Sequence, residues 1–310
     1  MKRHTASWVR VVERAARLSQ TGDMSGLGSL LTGAVRVALG LALLILLGFI
    51  LNDCASTPPQ QRVASFNIEN FPKHGRQAQG AFAHIERLRA GAVGVQEIIA
   101  PERFRREARA RLGPSWDFVW SSPISLQRVG VLYDTALFRL VEAREHRQTV
   151  TDRGARPALE AVLRPIGDGE GAPLLRVVVL HLKAGGDHAE TRRRQLEALR
   201  PVLKELLATG DRVVLLGDFN STGEQDRRLL ARLSADLGMS WGSRGLACTS
   251  YWDRRDGCLG SPLDHVLSWE PPRRVYVGGA CAEVGCEPGP SCPIYCEEVS
   301  DHCPVVIDLR

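Results

Sequence analysis

Residues 212–220 read Arg-Val-Val-Leu-Leu-Gly-Asp-Phe-Asn. Four consecutive Val and Leu residues mark a strand, and it runs straight into Asp218 and Asn220, polar side chains that need partners. The same transition recurs at Ala64-Ser-Phe-Asn67-Ile-Glu69-Asn70, at Gly94-Val-Gln96-Glu97 and at His181-Leu-Lys183. It occurs again at Leu263-Asp264-His265, with Ser300-Asp301-His302-Cys303-Pro304. Ends of apolar strands are where α/β folds place catalytic groups. Taken singly, each cluster is also what a helix cap, a turn or a surface Asp-His pair looks like. Together they supply several carboxylates and side-chain amides and two or three histidines, with no serine or thiolate nucleophile in a suggestive setting. Hard oxygen ligands suit Mg²⁺ or Mn²⁺ rather than zinc. The set points to metal-assisted hydrolysis of a phosphoester, in which a cation neutralises phosphate charge and a histidine activates the attacking water.

Outward from these clusters, apolar runs predict strands at 62–68, 92–96, 118–121, 130–133, 159–163, 175–182, 212–216, 263–267 and 302–309. Helical spacing predicts helices at 76–90, 101–112 and 188–208. The last carries Leu196, Leu199, Leu203 and Leu206 on one face, with Pro201 expected to kink it. The alternation reads as one α/β domain over residues 62–310, without internal repeats.

Seven segments in order, SFNIEN, VQE, QRVGVLY, HLKAG, GDFN, LDHV and SDHCPV, resemble the endonuclease/exonuclease/phosphatase superfamily, the fold of pancreatic-type deoxyribonucleases. The resemblance covers residues 62–310 and implies a four-layer α/β sandwich, two mixed β-sheets packed face to face with helices outside. It makes Asn67 and Glu97 metal ligands, with Asp301 on the same side, for Mg²⁺ or Mn²⁺; the family position of Glu69 varies. His302 becomes the general base, oriented and made more basic by Asp264. Asp218 would hold the attacking water or the metal. Asn220 and His181 would contact the phosphate, with His181 also a candidate acid for the leaving group, and Lys183 is either a phosphate contact or a solvated strand end. Abasic-site repair members typically carry Tyr where His181 stands, which sets this chain nearer the deoxyribonuclease-like and secreted branches.

The 310-residue chain is 44% hydrophobic, enough for a sizeable core, which excludes a disordered, collagenous or coiled-coil protein. Its net charge of +5 suggests nucleic acid until the charge is located. Residues 1–36 hold Lys2, Arg3, Arg10, Arg14, Arg17 and Arg36 against Glu13 and Asp23, so the remainder is close to neutral and carries no generic nucleic-acid footprint.

Residues 37–51, VALGLALLILLGFIL, are apolar without a charge, and the apolar character extends back to Leu30 past Arg36. This predicts a transmembrane or signal-anchor helix at 30–53 after a basic cytoplasmic segment 1–29, with a linker at 54–61. The basic flank orients the main domain outward, so the expected location is membrane-anchored and extracytoplasmic, periplasmic or extracellular, or secreted if the leader is cleaved. Lipidation at Cys54 and a start at Met24 remain open. No protein partner can be inferred, and a monomer is expected.

Seven of the eight cysteines lie in the last 63 residues, among Gly and Pro. Their spacing repeats no CxxC pair, so outside the cytoplasm disulfides are favoured over zinc. Six would pair if Cys54 is lipidated or free and Cys303 is buried beside the site, with Cys248–Cys258 the first expected bridge.

Fold does not choose the substrate. A nuclease is favoured by Arg192, Arg193 and Arg194, placed after HLKAG where they could grip a nucleic-acid backbone, unless they form a solvated helix face. The alternatives are a phospholipid head-group phosphodiesterase of the sphingomyelinase kind, with Trp241, Tyr251 and Trp252 as candidate membrane-contacting aromatics, and an inositol-phosphate-type phosphatase. A non-catalytic anchored binding module is the reading from another class.

Overall fold

The computed structural model describes residues 57–310. The expected basic segment 1–29, the hydrophobic segment 30–53 and Cys54 lie outside the described residues. Among the described residues, no helix is long and apolar enough to cross a membrane.

The chain begins with β1 (Arg62–Phe71), α1 (Gln77–Leu88), β2 (Ala92–Ile98), α2 (Pro101–Leu112), β3 (Trp116–Trp120) and β4 (Arg128–Asp134). A second series follows: β5 (Phe138–His146), β6 (Ala158–Pro165), β7 (Leu175–His181), α3 (Ala189–Leu207), β8 (Arg212–Asp218), α4 (Glu224–Leu237) and β9 (Ser240–Trp241). The hairpin β10 (Ser250–Arg254) and β11 (Gly257–Ser261) precedes β12 (Asp264–Ser268), β13 (Arg274–Val277), the short helices α5 (Ala280–Glu283) and α6 (Ile294–Glu298), and β14 (Val305–Asp308).

Two six-stranded sheets result, in the orders β13-β14-β1-β2-β4-β3 and β5-β6-β7-β8-β12-β9. Each is mixed: β1–β2 and β7–β8 are parallel and joined across a helix, while the other pairs are antiparallel.

Side-chain alternation assigns the layers. On β1, Val63 faces one way, and on β8 Val214 and Leu216 do; they share a core with Val131, Val177 and Ile307, drawn from both sheets. The opposite face of β1, with Phe66 and Ile68, is covered by Phe82 and Ile85 of α1 and Phe104 of α2. The opposite face of β8, with Val213 and Leu215, is covered by Leu199 and Leu203 of α3 and Leu230 of α4. Helix, sheet, sheet, helix is therefore the layer order. The sheets approach closely at Gly94, where a Cβ would meet Leu216 Cδ1 at 2.2 Å. At Gly217, φ is +143° and a Cβ would meet the Leu180 carbonyl oxygen at 2.0 Å, so only glycine admits the turn into Asp218.

Several expectations shift. The predicted strand 302–309 begins only at Val305, because residues 302–304 enter the site as a loop, with His302 in a lone bridge to Ser250. Helix α3 runs on through Pro201. Strands β5 and β13 escape a reading by apolar runs because both are edges: β5 is mostly exposed and carries four charged residues. Helix α4 was also missed, although Leu229, Leu230 and Leu233 give it a buried face.

The cysteine pairing differs too. The bridges are Cys248–Cys286, Cys258–Cys292 and Cys281–Cys303. Cys248 cannot reach Cys258, because the hairpin register sets Cys258 opposite Asp253 and leaves Cys248 beyond the ladder. Cys303 is bonded, and Cys296 is the free cysteine among the described residues.

Candidate active site

The site forms where strand ends of both sheets meet. The backbone there is strained: Glu69, Asn70, Glu97 and Asn220 have φ of 39°, 55°, 62° and 48°. Non-glycine residues in this region cost on the order of 1–3 kcal/mol each. Local hydrogen bonds hold them: Glu69 N–H donates to Asn67 Oδ1 at 3.0 Å, Asn70 N–H to Glu97 Oε2 at 3.1 Å, and Asn220 N–H to Asp218 Oδ1 at 2.8 Å.

Asp218, at the end of β8, is the centre. Register places it opposite His181 on β7 and opposite Asp264 on β12. Its Oδ2 accepts from Asn67 Nδ2 at 3.0 Å and lies 3.4 Å from His181 Nε2 and 3.8 Å from His302 Nε2. The Asn67 amide also donates to Glu97 Oε1 at 3.2 Å, so one side chain joins carboxylates from two sheets.

His302 and Asp264 make the dyad expected of a base and its orienting acid, Nδ1 to Oδ2 at 2.8 Å. Thr249, not foreseen in the sequence, holds that carboxylate: its hydroxyl donates to Asp264 Oδ2 and accepts from Asp264 N–H, both at 2.8 Å. Burial alone would lower the His302 pKa, but the carboxylates of Asp264, Asp218 and Asp301 outweigh it and hold it well above the usual histidine value. Burial pushes the Asp218 carboxyl up to about 7, with Asp264 and Glu97 adding to the rise against the pull of His302. His181 is fully desolvated and lies near Arg156 and His302, which drives its pKa well down and leaves it neutral. A neutral His181 suits hydrogen bonding to a phosphate better than acid catalysis.

Two further residues were without a role in the sequence reading. Gln127, within QRVGVLY, donates to Glu97 Oε2 at 2.7 Å and to Asn70 Oδ1 at 2.6 Å, and accepts from half-buried Arg156. Arg156 feels Glu97 and Asp218. It sits in an irregular loop, where no periodicity could have marked it.

Other expected residues fall differently. Asp301 lies at the Glu69 and His302 side of the cleft: its N–H donates to Glu69 Oε2 at 3.1 Å and its Oδ1 lies 3.9 Å from His302 Nε2. Asn220 lines the cleft and gives one amide N–H to the Leu182 carbonyl. Lys183 is not among the cleft-lining residues; its backbone N–H donates to Gln195. Of the two readings of Arg192, Arg193 and Arg194, a nucleic-acid grip or a solvated helix face, the contacts favour the second for Arg193 and Arg194 and neither for Arg192. Arg192 is 1% exposed and forms paired bonds to Asp226 while binding the Lys183 and Gly185 carbonyls. Arg193 pairs with Glu190 and Glu197, and Arg194 reaches Thr191. These arginines pin α3 to α4 and the loop after β7, or decorate a solvated helix face. Burial and the nearby Asp301 and Glu69 push the Cys296 thiol up to about 12, which disfavours its thiolate.

A cleft of about 850 Å³ opens over Glu97, His181, Asp218, Asn220, Asp301 and His302. Residues 64–302 match the sequence model of the Endonuclease/Exonuclease/phosphatase family. The chain belongs to that family. No curated protein matches it in sequence. Among solved structures, zebrafish (D. rerio) TDP2 complexed with a single-strand DNA product is 16% identical, with a TM-score of 0.59, over 79% of this chain and 97% of that one. The human Nocturnin catalytic domain with bound sulfate is 15% identical, with a TM-score of 0.57, over 81% and 98%. The Bacteroides thetaiotaomicron mannosyl-6-phosphatase is 16% identical, with a TM-score of 0.56, over 80% and 99%. At these identities the likeness is one of fold.

Endonuclease/exonuclease/phosphatase enzymes are typically phosphoester hydrolases and generally depend on a divalent metal, and the donor set here fits one. Glu97, His181 and Asp218 offer ligand atoms within 4.8 Å of one another, as do Asp218, Asp264 and His302. Buried Asp264 Oδ1 and Asp301 Oδ1 have no hydrogen-bond partner. A desolvated carboxylate such as Asp264, crowded against Asp218, favours a bound cation.

Proposed function

We propose that this protein is an extracytoplasmic, divalent-metal-dependent phosphodiester hydrolase, with nucleic acid as its first candidate substrate. The observation that carries the reading is the His302–Asp264 pair at 2.8 Å, with the second imidazole nitrogen turned toward Asp218. Mg²⁺ or Mn²⁺, held by Glu97 and Asn67 with Asp218 and Asp301 alongside, supplies charge neutralisation at the phosphate. Asp264 fixes the imidazole tautomer by accepting the Nδ1 proton, which leaves Nε2 as the base that takes the proton of the attacking water. Asp218 orients that water, while Asn220 and neutral His181 donate to phosphate oxygens. Three disulfides support an oxidising compartment, and residues 30–53 serve as the membrane anchor or leader.

A second reading, a phospholipid head-group phosphodiesterase, draws on two observations. Among the described residues, Arg227, half-exposed and 3.3 Å from Glu224, is the one Arg or Lys lining the cleft, so little positive charge faces a nucleic-acid backbone there. Trp252, at the cleft rim, is 62% exposed, whereas Tyr251 is buried and Trp241 bonds Ser243.

The test is nicking of supercoiled plasmid by residues 57–310, exported so that disulfides form, with Mg²⁺ or EDTA and with His302→Ala as control. Cleavage requiring both metal and His302 supports the nuclease. A folded protein that leaves the plasmid intact but hydrolyses phosphocholine esters with the same requirements supports the second reading. No metal-dependent turnover on either leaves the binding module.

A further inference from the structure

The dyad is not built on the sheets alone. Asp264 lies on β12, but its partner His302 and its support Thr249 both sit in irregular chain. These two segments run antiparallel: Tyr251 N–H donates to the Asp301 carbonyl and Cys303 N–H to the Thr249 carbonyl, both at 2.7 Å. Each is then tied covalently to one short stretch, residues 281–286, which comprises the end of α5 and the loop that follows it, beside the residue that matters. Cys248, next to Thr249, bonds Cys286; Cys303, next to His302, bonds Cys281. The loop adds a third tie, since the Tyr251 hydroxyl donates to the Gly285 carbonyl at 2.6 Å. The third disulfide, Cys258–Cys292, ties the far part of the hairpin, opposite Asp253, to the following loop and involves no sequence neighbour of Thr249 or His302.

We propose, building on the hydrolase reading, that loop 281–286 is the positioning element of the His302–Asp264 pair and that its two disulfides complete the active site. Each link forms when two thiols lose two electrons and two protons to a disulfide donor, which departs as a dithiol. In the reduced chain the two segments keep their backbone hydrogen bonds to each other, the Thr249 N–H bond to the Ser261 carbonyl and the Tyr295 hydroxyl bond to the His302 carbonyl, but lose every covalent tie to residues 281–286. Misplacement of a reacting group by about 1 Å can cost on the order of 10²-fold in rate. The enzyme thus gains most of its activity only in an oxidising compartment.

The experiment compares two double variants by kinetics and by the ¹H NMR signal of the His302 imidazole N–H bonded to Asp264. Cys281→Ser/Cys286→Ser removes both links of the loop and leaves the neighbours of Thr249 and His302 unchanged. Cys258→Ser/Cys292→Ser removes the third. The first should lose on the order of 10²-fold in kcat with KM little altered, and lose the N–H signal; the second should keep both. Wild-type kcat and signal in the first variant overturn the proposal. If that variant does not fold, timed reduction of the wild-type protein decides: kcat and the signal should vanish before the near-ultraviolet circular dichroism does. Simultaneous loss would mean that the disulfides hold the fold and not the dyad. If wild-type protein hydrolyses nothing, the hydrolase reading falls, and the N–H signal alone reports whether the links position His302.

Discussion

The side-chain amide of Asn67, on β1 of the first sheet, donates to the carboxylate of Asp218, on β8 of the second, across 3.0 Å and 151 positions of sequence. This bond spans the seam between the sheets, with both side chains buried. It brings the metal-ligand candidates of one sheet beside the acid and imidazoles of the other, so the site exists only when the sheets are packed.

Glu97→Gln keeps the volume at the centre of the Asn67, Asn70 and Gln127 bonds but removes the charge a cation needs. Activity should fall at least about 10²-fold at saturating Mg²⁺, with the melting temperature little changed. Retained turnover at high metal would refute the ligand role.

Asp264→Asn removes the carboxylate that does most to raise the His302 pKa against burial. A base works only when deprotonated, so a raised pKa places the acid limb of the rate profile high. The variant should move that limb to lower pH, while kcat drops on the order of 10² to 10⁴-fold. An unmoved limb in kcat/KM against pH would break the dyad.

Arg192→Met should act on stability and not on substrate binding. It strands buried Asp226 and unties the Lys183 and Gly185 carbonyls, at about 3 to 5 kcal/mol. Arg193→Ala and Arg194→Ala should leave the salt dependence of any nucleic-acid cleavage unchanged. A flattened salt slope would restore the grip that the ion pairs with Glu190 and Glu197 deny to Arg193.

Peptide mapping without reduction should recover Cys248–Cys286, Cys258–Cys292 and Cys281–Cys303, with Cys296 alkylated. These links close loops of 22 to 38 residues, each contributing about 3 to 4 kcal/mol if chain entropy dominates. Melting should therefore drop under reductant, and an unaltered transition would mean that the core alone sustains the fold.

The sequence by itself determined the α/β class and most strands, and it named Asn67, Glu97, His181, Asp218, Asp264 and His302 as candidates, which the fold brings together. Buried strands are continuous apolar runs, and the polar groups that end them stand out against that background. It did not show β5, whose solvated edge breaks the apolar pattern, nor the roles of Gln127, Arg156 and Thr249, which lie in loops without periodicity. Only the tertiary structure decided that Arg192 is a buried strut, because burial depends on what α4 packs against it. The same holds for the disulfides. Which cysteines pair is fixed by hairpin register and by loop 281–286 crossing between two distant segments, and linear spacing carries no record of that crossing.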